Sequence, residues 1–77
     1  MNRLYTVDRA MEVASQLGIS DRELCRRSGL HVSTIGKARL RGSELTVQTI
    51  VAICRAAGIS LGEFFSGIDE MMNLEKK

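Results

Sequence analysis

The segments "GISDREL" (residues 18–24) and "GISLGEF" (residues 58–64) are one device written twice, Gly-Ile-Ser-x-x-Glu-apolar. In such a device a glycine supplies the left-handed residue that ends one helix, and the serine caps the next. Ser20 and Ser60 are the expected caps, with Glu23 and Glu63 reaching back to complete a capping box. Ile19 can staple to Leu24, and Ile59 to Phe64. A chain holding two such corners is committed to helices that meet at angles. The repetition reads as capping chemistry and not as duplication of a domain.

The remaining pattern agrees. Proline is absent, aromatic residues make up only 4%, and apolar residues recur at helical spacing, which predicts an all-α fold. A first helix carries Val7, Ala10, Met11, Ala14 and Leu17 inward, with Leu4 extending the patch, Thr6 as cap and Gly18 as stop. A second covers residues 21–28, with Leu24 and Cys25 inward and Arg22, Arg26 and Arg27 outward. A fourth covers residues 47–57 after a Thr46 cap. Its Val47, Ile50, Val51, Ile53, Cys54 and Ala57 leave only Gln48, Ala52 and Arg55 as an outer stripe, which predicts the central core element. A fifth starts at Leu61 with Phe64 and Phe65, and Gly67 is expected to interrupt it. Seventy-seven residues make one domain, read here as 1–66 with a tail at 67–77.

Several function classes are excluded. No run approaches the roughly 18 apolar residues of a membrane span. Arg3, Asp8, Arg9 and Glu12 break up the apolar stretch that a signal peptide would need. Cys25 and Cys54 lack Cys-x-x-Cys spacing and His31 stands alone, so no metal set is predicted and a reduced, cytoplasmic protein is expected. One histidine builds no Ser/His/Asp triad, no Gly-x-x-x-x-Gly-Lys occurs, and neither enzyme nor cofactor is expected. Net charge is only +2, but residues 20–45 hold Arg22, Arg26, Arg27, Lys37, Arg39 and Arg41 against Asp21, Glu23 and Glu44. A cluster of this kind is either an ordinary solvated face or a face for an anion such as nucleic acid.

The segment "GLHVSTIGKARLRG" (residues 29–42) is poor in helix formers. Wound as a helix over residues 32–40, it puts Ile35 and Ala38 on one side and Ser33, Gly36, Lys37 and Leu40 on the other. Gly36 on the outer face either breaks the helix or lets its backbone approach another surface. The second helix, a turn at Gly29 with Leu30 as plug, and this short helix make a helix-turn-helix unit.

From about residue 7 to 65 the chain resembles the lambda-repressor-like Cro/repressor (XRE) family of DNA-binding domains. The family motif is roughly Gln-x-x-Leu-Ala-x-x-x-Gly-[Val/Met]-x-x-x-x-[Ile/Val], matched here by Asp21, Leu24, Cys25, Gly29, Leu30 and Ile35. The stretch "TVQTIVAICRAAGISLGEF" is similar to the family's fourth helix and its Gly-Val-Ser-x-x-Glu corner. The resemblance implies a compact five-helix fold in which helices two and three read the major groove of double-stranded DNA. It implies base contacts from Val32, Ser33, Gly36 and Lys37, and backbone contacts from His31, Thr34, Arg39, Arg41, Ser43 and Ser20.

Some positions depart from the family pattern. Asp21 replaces a glutamine that touches the DNA backbone, and a carboxylate there repels phosphate. Arg39 stands where a glutamate pairs with a helix-one arginine, whose place Ala14 takes, so Arg39 is expected to be free for DNA. Ala38 is smaller than usual, the expected glycine appears as Arg41 with Gly42 displaced by one, and Leu40 is exposed without a role. In the tail, Phe65, Ile68, Met71 and Met72 form either a lid on the core or the patch of a homodimer on a palindromic operator. The expected function is sequence-specific DNA binding by a small transcriptional repressor. The alternative is an antitoxin-like or other module whose main partner is a protein.

Overall fold

The computed structural model describes residues 3–76, and among them every regular element is a helix. In order these are α1 Tyr5–Gln16, α2 Asp21–Arg27, α3 Thr34–Arg41, α4 Val47–Ala57 and α5 Leu61–Glu75. All four connections close the same way. The N–H of Ile19, Leu30, Ser43 and Ile59 donates to the carbonyl five residues back, on Ala14, Cys25, Ala38 and Cys54, at 2.9–3.1 Å. The residue before each donor is a glycine in the left-handed region, φ 69° to 73°, a conformation that a side chain would strain.

The serine caps form as the sequence predicts, and half of each capping box does not. Ser20 Oγ accepts from Glu23 N–H at 3.1 Å, and Ser60 Oγ accepts from Glu63 N–H at 3.0 Å. Thr46 caps α4 by accepting from Thr49 N–H at 3.2 Å. The Glu23 carboxylate turns outward to Arg26 and Arg27 instead of returning to Ser20. Exposed arginines one turn along the helix win that carboxylate because each brings a full charge to the hydrogen bond.

Thr6 is not the cap of α1. It lies inside the helix, whose flanking residue is Leu4, and the helix is capped from a distance. The Glu44 carboxylate accepts from the N–H of Tyr5 at 3.1 Å, from Thr6 N–H at 2.9 Å and from the Thr6 hydroxyl at 2.6 Å. Thr6 Oγ1 in turn accepts from Leu45 N–H at 2.7 Å, which fastens the α3–α4 connection to the start of α1.

The core gathers Val7, Ala10, Val13 and Ala14 of α1, Leu24 and Cys25 of α2, and Ile35 and Ala38 of α3. Leu45, Ile50, Ile53, Cys54, Phe64 and Ile68 complete it. Both cysteines are free and buried. The central element is α1, which packs on all four other helices, whereas α4 meets α1, α2 and α5. Ala10 and Ala14 explain the difference, since small side chains on one stripe let neighbours approach from several directions. Two inward expectations fail at element ends: Leu17 is 44% exposed beside the corner, and Val47 is 67% exposed at the first turn of α4.

Gly67 does not interrupt α5, which runs unbroken to Glu75. It makes room for Arg9, the one buried charged residue among those described. Arg9 Nε donates to the carbonyl of Phe64 at 2.8 Å, Nη2 to that of Glu63 at 3.0 Å, and Nη1 to the Glu12 carboxylate at 2.6 Å. A Cβ on residue 67 would collide with the guanidinium. The glycine is therefore a port for a side chain from α1 and not a helix break.

Candidate nucleic-acid interface

Helix α3 begins two residues later than its apolar spacing predicts. Thr34 N–H donates to the His31 carbonyl at 3.0 Å and Thr34 Oγ1 donates to the same oxygen at 2.7 Å. That tight turn holds Val32 and Ser33 just outside the helix, and the first helical bond runs from Lys37 N–H to the Ser33 carbonyl at 2.7 Å. The helix then continues through Arg41 to a left-handed Gly42, one residue beyond the family pattern. Ile35 and Ala38 are buried as the two-residue seam requires. Gly36 is helical with φ outside the positive region, and an added Cβ there would meet nothing within 4 Å. The alternative of a break at Gly36 is thereby removed.

Along the outer side of α3 runs an open groove of about 410 Å³. Val32, Ser33, Gly36, Lys37 and Leu40 form one wall, and Asp21 and Arg22 at the start of α2 form the other. The four residues expected to face bases thus share one concavity. Arg22 and Leu40 join them, and sequence reasoning gave neither a role there. The register of α3 was a usable signal for Leu40, which follows Ser33, Gly36 and Lys37 on the same face. For Arg22 the signal lay in the approach of α2 to α3, which no local pattern encodes.

The charges are not all free. Glu23 holds Arg26 through two bonds, at 2.8 and 2.5 Å, and Arg27 through one at 2.9 Å. Those two arginines, Arg26 foremost, hold the Glu23 carboxyl down to about 2. Arg39, expected to be free, lies 3.7 Å from the Asp21 carboxylate and rests on the thioether of Met11. The pair softens the repulsion that Asp21 would otherwise offer an anion and ties α3 to α2, while the Met11 contact joins α3 to α1. Among the described residues, Arg22, Lys37 and Arg41 enter no salt bridge and are exposed. These three are the available cations of this face.

Other expected contacts are partly committed. Thr34 spends its hydroxyl proton on His31 and has none left to donate to a phosphate. Ser20 Oγ serves as the α2 cap, in a first turn that also carries Asp21 and Glu23. Ser43 is half-buried and gives its N–H to Ala38. In α5, Ile68 and Met71 are buried against the protein's own core, while Phe65 and Met72 stay 42% and 41% exposed. The four residues of the expected dimer patch therefore do not share one open face. Among the described residues no group of three His, Cys, Asp or Glu could hold a metal ion, and no single helix is long and apolar enough to cross a membrane.

Neither the curated proteins nor the solved structures contain a match to this chain. The helix-turn-helix family model matches residues 9–64, from the buried arginine of α1 to the core phenylalanine of α5. With its five helices in the Cro/repressor order, the chain belongs to the helix-turn-helix family of DNA-binding regulators.

Proposed function

We propose that the protein is a transcriptional repressor that reads one operator sequence through the groove along α3. The observation that carries this reading is the coincidence of that groove with the uncompensated charges of Arg22 and Lys37. Val32 is suited to pack on a thymine methyl, and Lys37 to donate to guanine acceptors. Gly36 leaves the helix backbone bare where it would approach the base edges. In this reading Arg41 at the end of α3, His31 before it and Ser43 after it hold phosphates on either side, with Ser20 and Arg39 in lesser parts.

The repressor acts as a homodimer on a palindrome. Leu61, Phe65 and Met72 are each 41–42% exposed and fall on one stripe of α5, which supports a twofold contact between copies. The same stripe favours the second reading, a module that holds another protein. Selection from a random duplex library separates them. The repressor reading predicts an enriched inverted repeat with half-sites about one helical turn apart. Enrichment of no sequence at all would favour the protein-holding module.

A further inference from the structure

The groove has a polar feature beyond its charges: the hydroxyl of Ser33 is locked in one direction. His31 Nδ1 accepts from the backbone N–H of Ser33 at 3.2 Å and lies 2.7 Å from Ser33 Oγ. Two hydrogens cannot occupy the space between one N–H and one ring nitrogen, so Nδ1 carries none and the ring proton sits on Nε2. The Ser33 hydroxyl must then donate to Nδ1, and it shows only lone pairs to the groove it lines. A free serine hydroxyl can serve acceptor or donor bases alike. This one cannot.

The geometry points to Ser33 as an acceptor-only reader of exocyclic amino groups, with His31 as the positioning residue that fixes its polarity. In the major groove adenine N6 and cytosine N4 are donors, whereas thymine O4 and guanine O6 are acceptors. Every base pair shows one amino group in the major groove, so the position facing Ser33 accepts adenine or cytosine on one strand and rejects thymine or guanine there. Exchange of adenine for cytosine is tolerated, and inversion of either pair is not. This inference rests on the duplex-reading function proposed above.

The test measures binding of the selected duplex and of its single-pair variants by the full chain, with Ser33→Ala, His31→Ala and His31→Asn beside it. The pair that Ser33 reads is the one whose preference disappears in Ser33→Ala. There the native chain should favour adenine or cytosine over thymine or guanine by about fivefold, the worth of one net hydrogen bond. His31→Asn keeps an acceptor two residues before the Ser33 N–H and should retain the preference. His31→Ala frees the hydroxyl to rotate and should flatten it to less than about twofold, while the relative preferences at the other pairs stay and any lost phosphate contact weakens all duplexes alike. Thermal melting of each variant confirms that the domain remains folded.

A preference for thymine or guanine at that pair, or full preference in folded His31→Ala, overturns the inference. So does a Ser33→Ala that alters no pair. In those cases salt-dependent duplex binding by the native chain leaves the repressor reading standing. Absence of duplex binding overturns both.

Discussion

Arg9 and Gly67 form a lock between the first and last helices that neither residue announces. Gly67→Ala should destabilise the domain by about 1–3 kcal/mol, because the new methyl and the guanidinium claim the same space. Combined with Arg9→Ala, the second change should cost less than in the native background, a coupling of about 0.5–3 kcal/mol in a double-mutant cycle of thermal or denaturant melts. Simple additivity would contradict the lock. Gly36 behaves in the opposite sense. With helical φ and open space around it, Gly36→Ala should raise stability by up to about 1 kcal/mol, or about 4–8 °C in Tm for a domain of this size, while weakening DNA binding through the added bulk. The two glycines look alike in sequence. Composition alone ranks both as helix weakeners, and only the partner across from each reveals that one is required and the other is tolerated.

Local chemistry made most helix starts legible. Ser20, Thr46 and Ser60 lie next to the N–H groups they satisfy, so α2, α4 and α5 begin where the sequence says. The start of α1 was illegible because its cap is the carboxylate of Glu44, brought in from beyond α3. The start of α3 was shifted by a turn closed on the His31 carbonyl, a contact that apolar periodicity does not contain. Glu44→Ala should therefore cost about 0.5–1 kcal/mol by uncapping α1, at the low end for a cap because the carboxylate is exposed.

Acid should act on the same contacts. Burial alone would raise the Glu44 carboxyl, but donations from the Thr6 hydroxyl and the N–H groups of Thr6 and Tyr5 hold it below its ordinary value. The Tyr5 hydroxyl and then Arg3 do the same for Glu75, and Glu23 falls from 4.5 to about 2. A carboxylate depressed on folding contributes stability above its unfolded value and loses it as pH falls through the folded one. The Tm should thus be flat from neutral pH to about 5 and decline as pH drops from 4.5 toward 2. In Glu44→Ala the decline should be shallower. A Tm that rises in this window would contradict these contacts.

Across the whole molecule, α1 is the hub that holds the α2–α3 pair against α4 and α5, and that pair presents the groove. The outward set Ser33, Gly36, Lys37 and Leu40 was readable from helical register. The charge balance was not, because it depends on pairings. Arg26 and Arg27 are tied to Glu23, and Arg39 faces Asp21, which leaves Arg22, Lys37 and Arg41 to meet an anion. In α5 the sequence already put Phe65 and Met72 together, but only the unbroken helix adds Leu61 to their stripe and removes the buried Ile68 and Met71 from it.

If this face binds duplex DNA through those free cations and the edge of α3, duplex affinity must respond to salt. Log affinity should fall steeply and linearly with log salt through release of counterions. Lys37→Ala should lower affinity for the selected site by about 1–3 kcal/mol without changing Tm. Affinity that is flat with salt, or a Lys37→Ala variant that binds like the native chain, would contradict it.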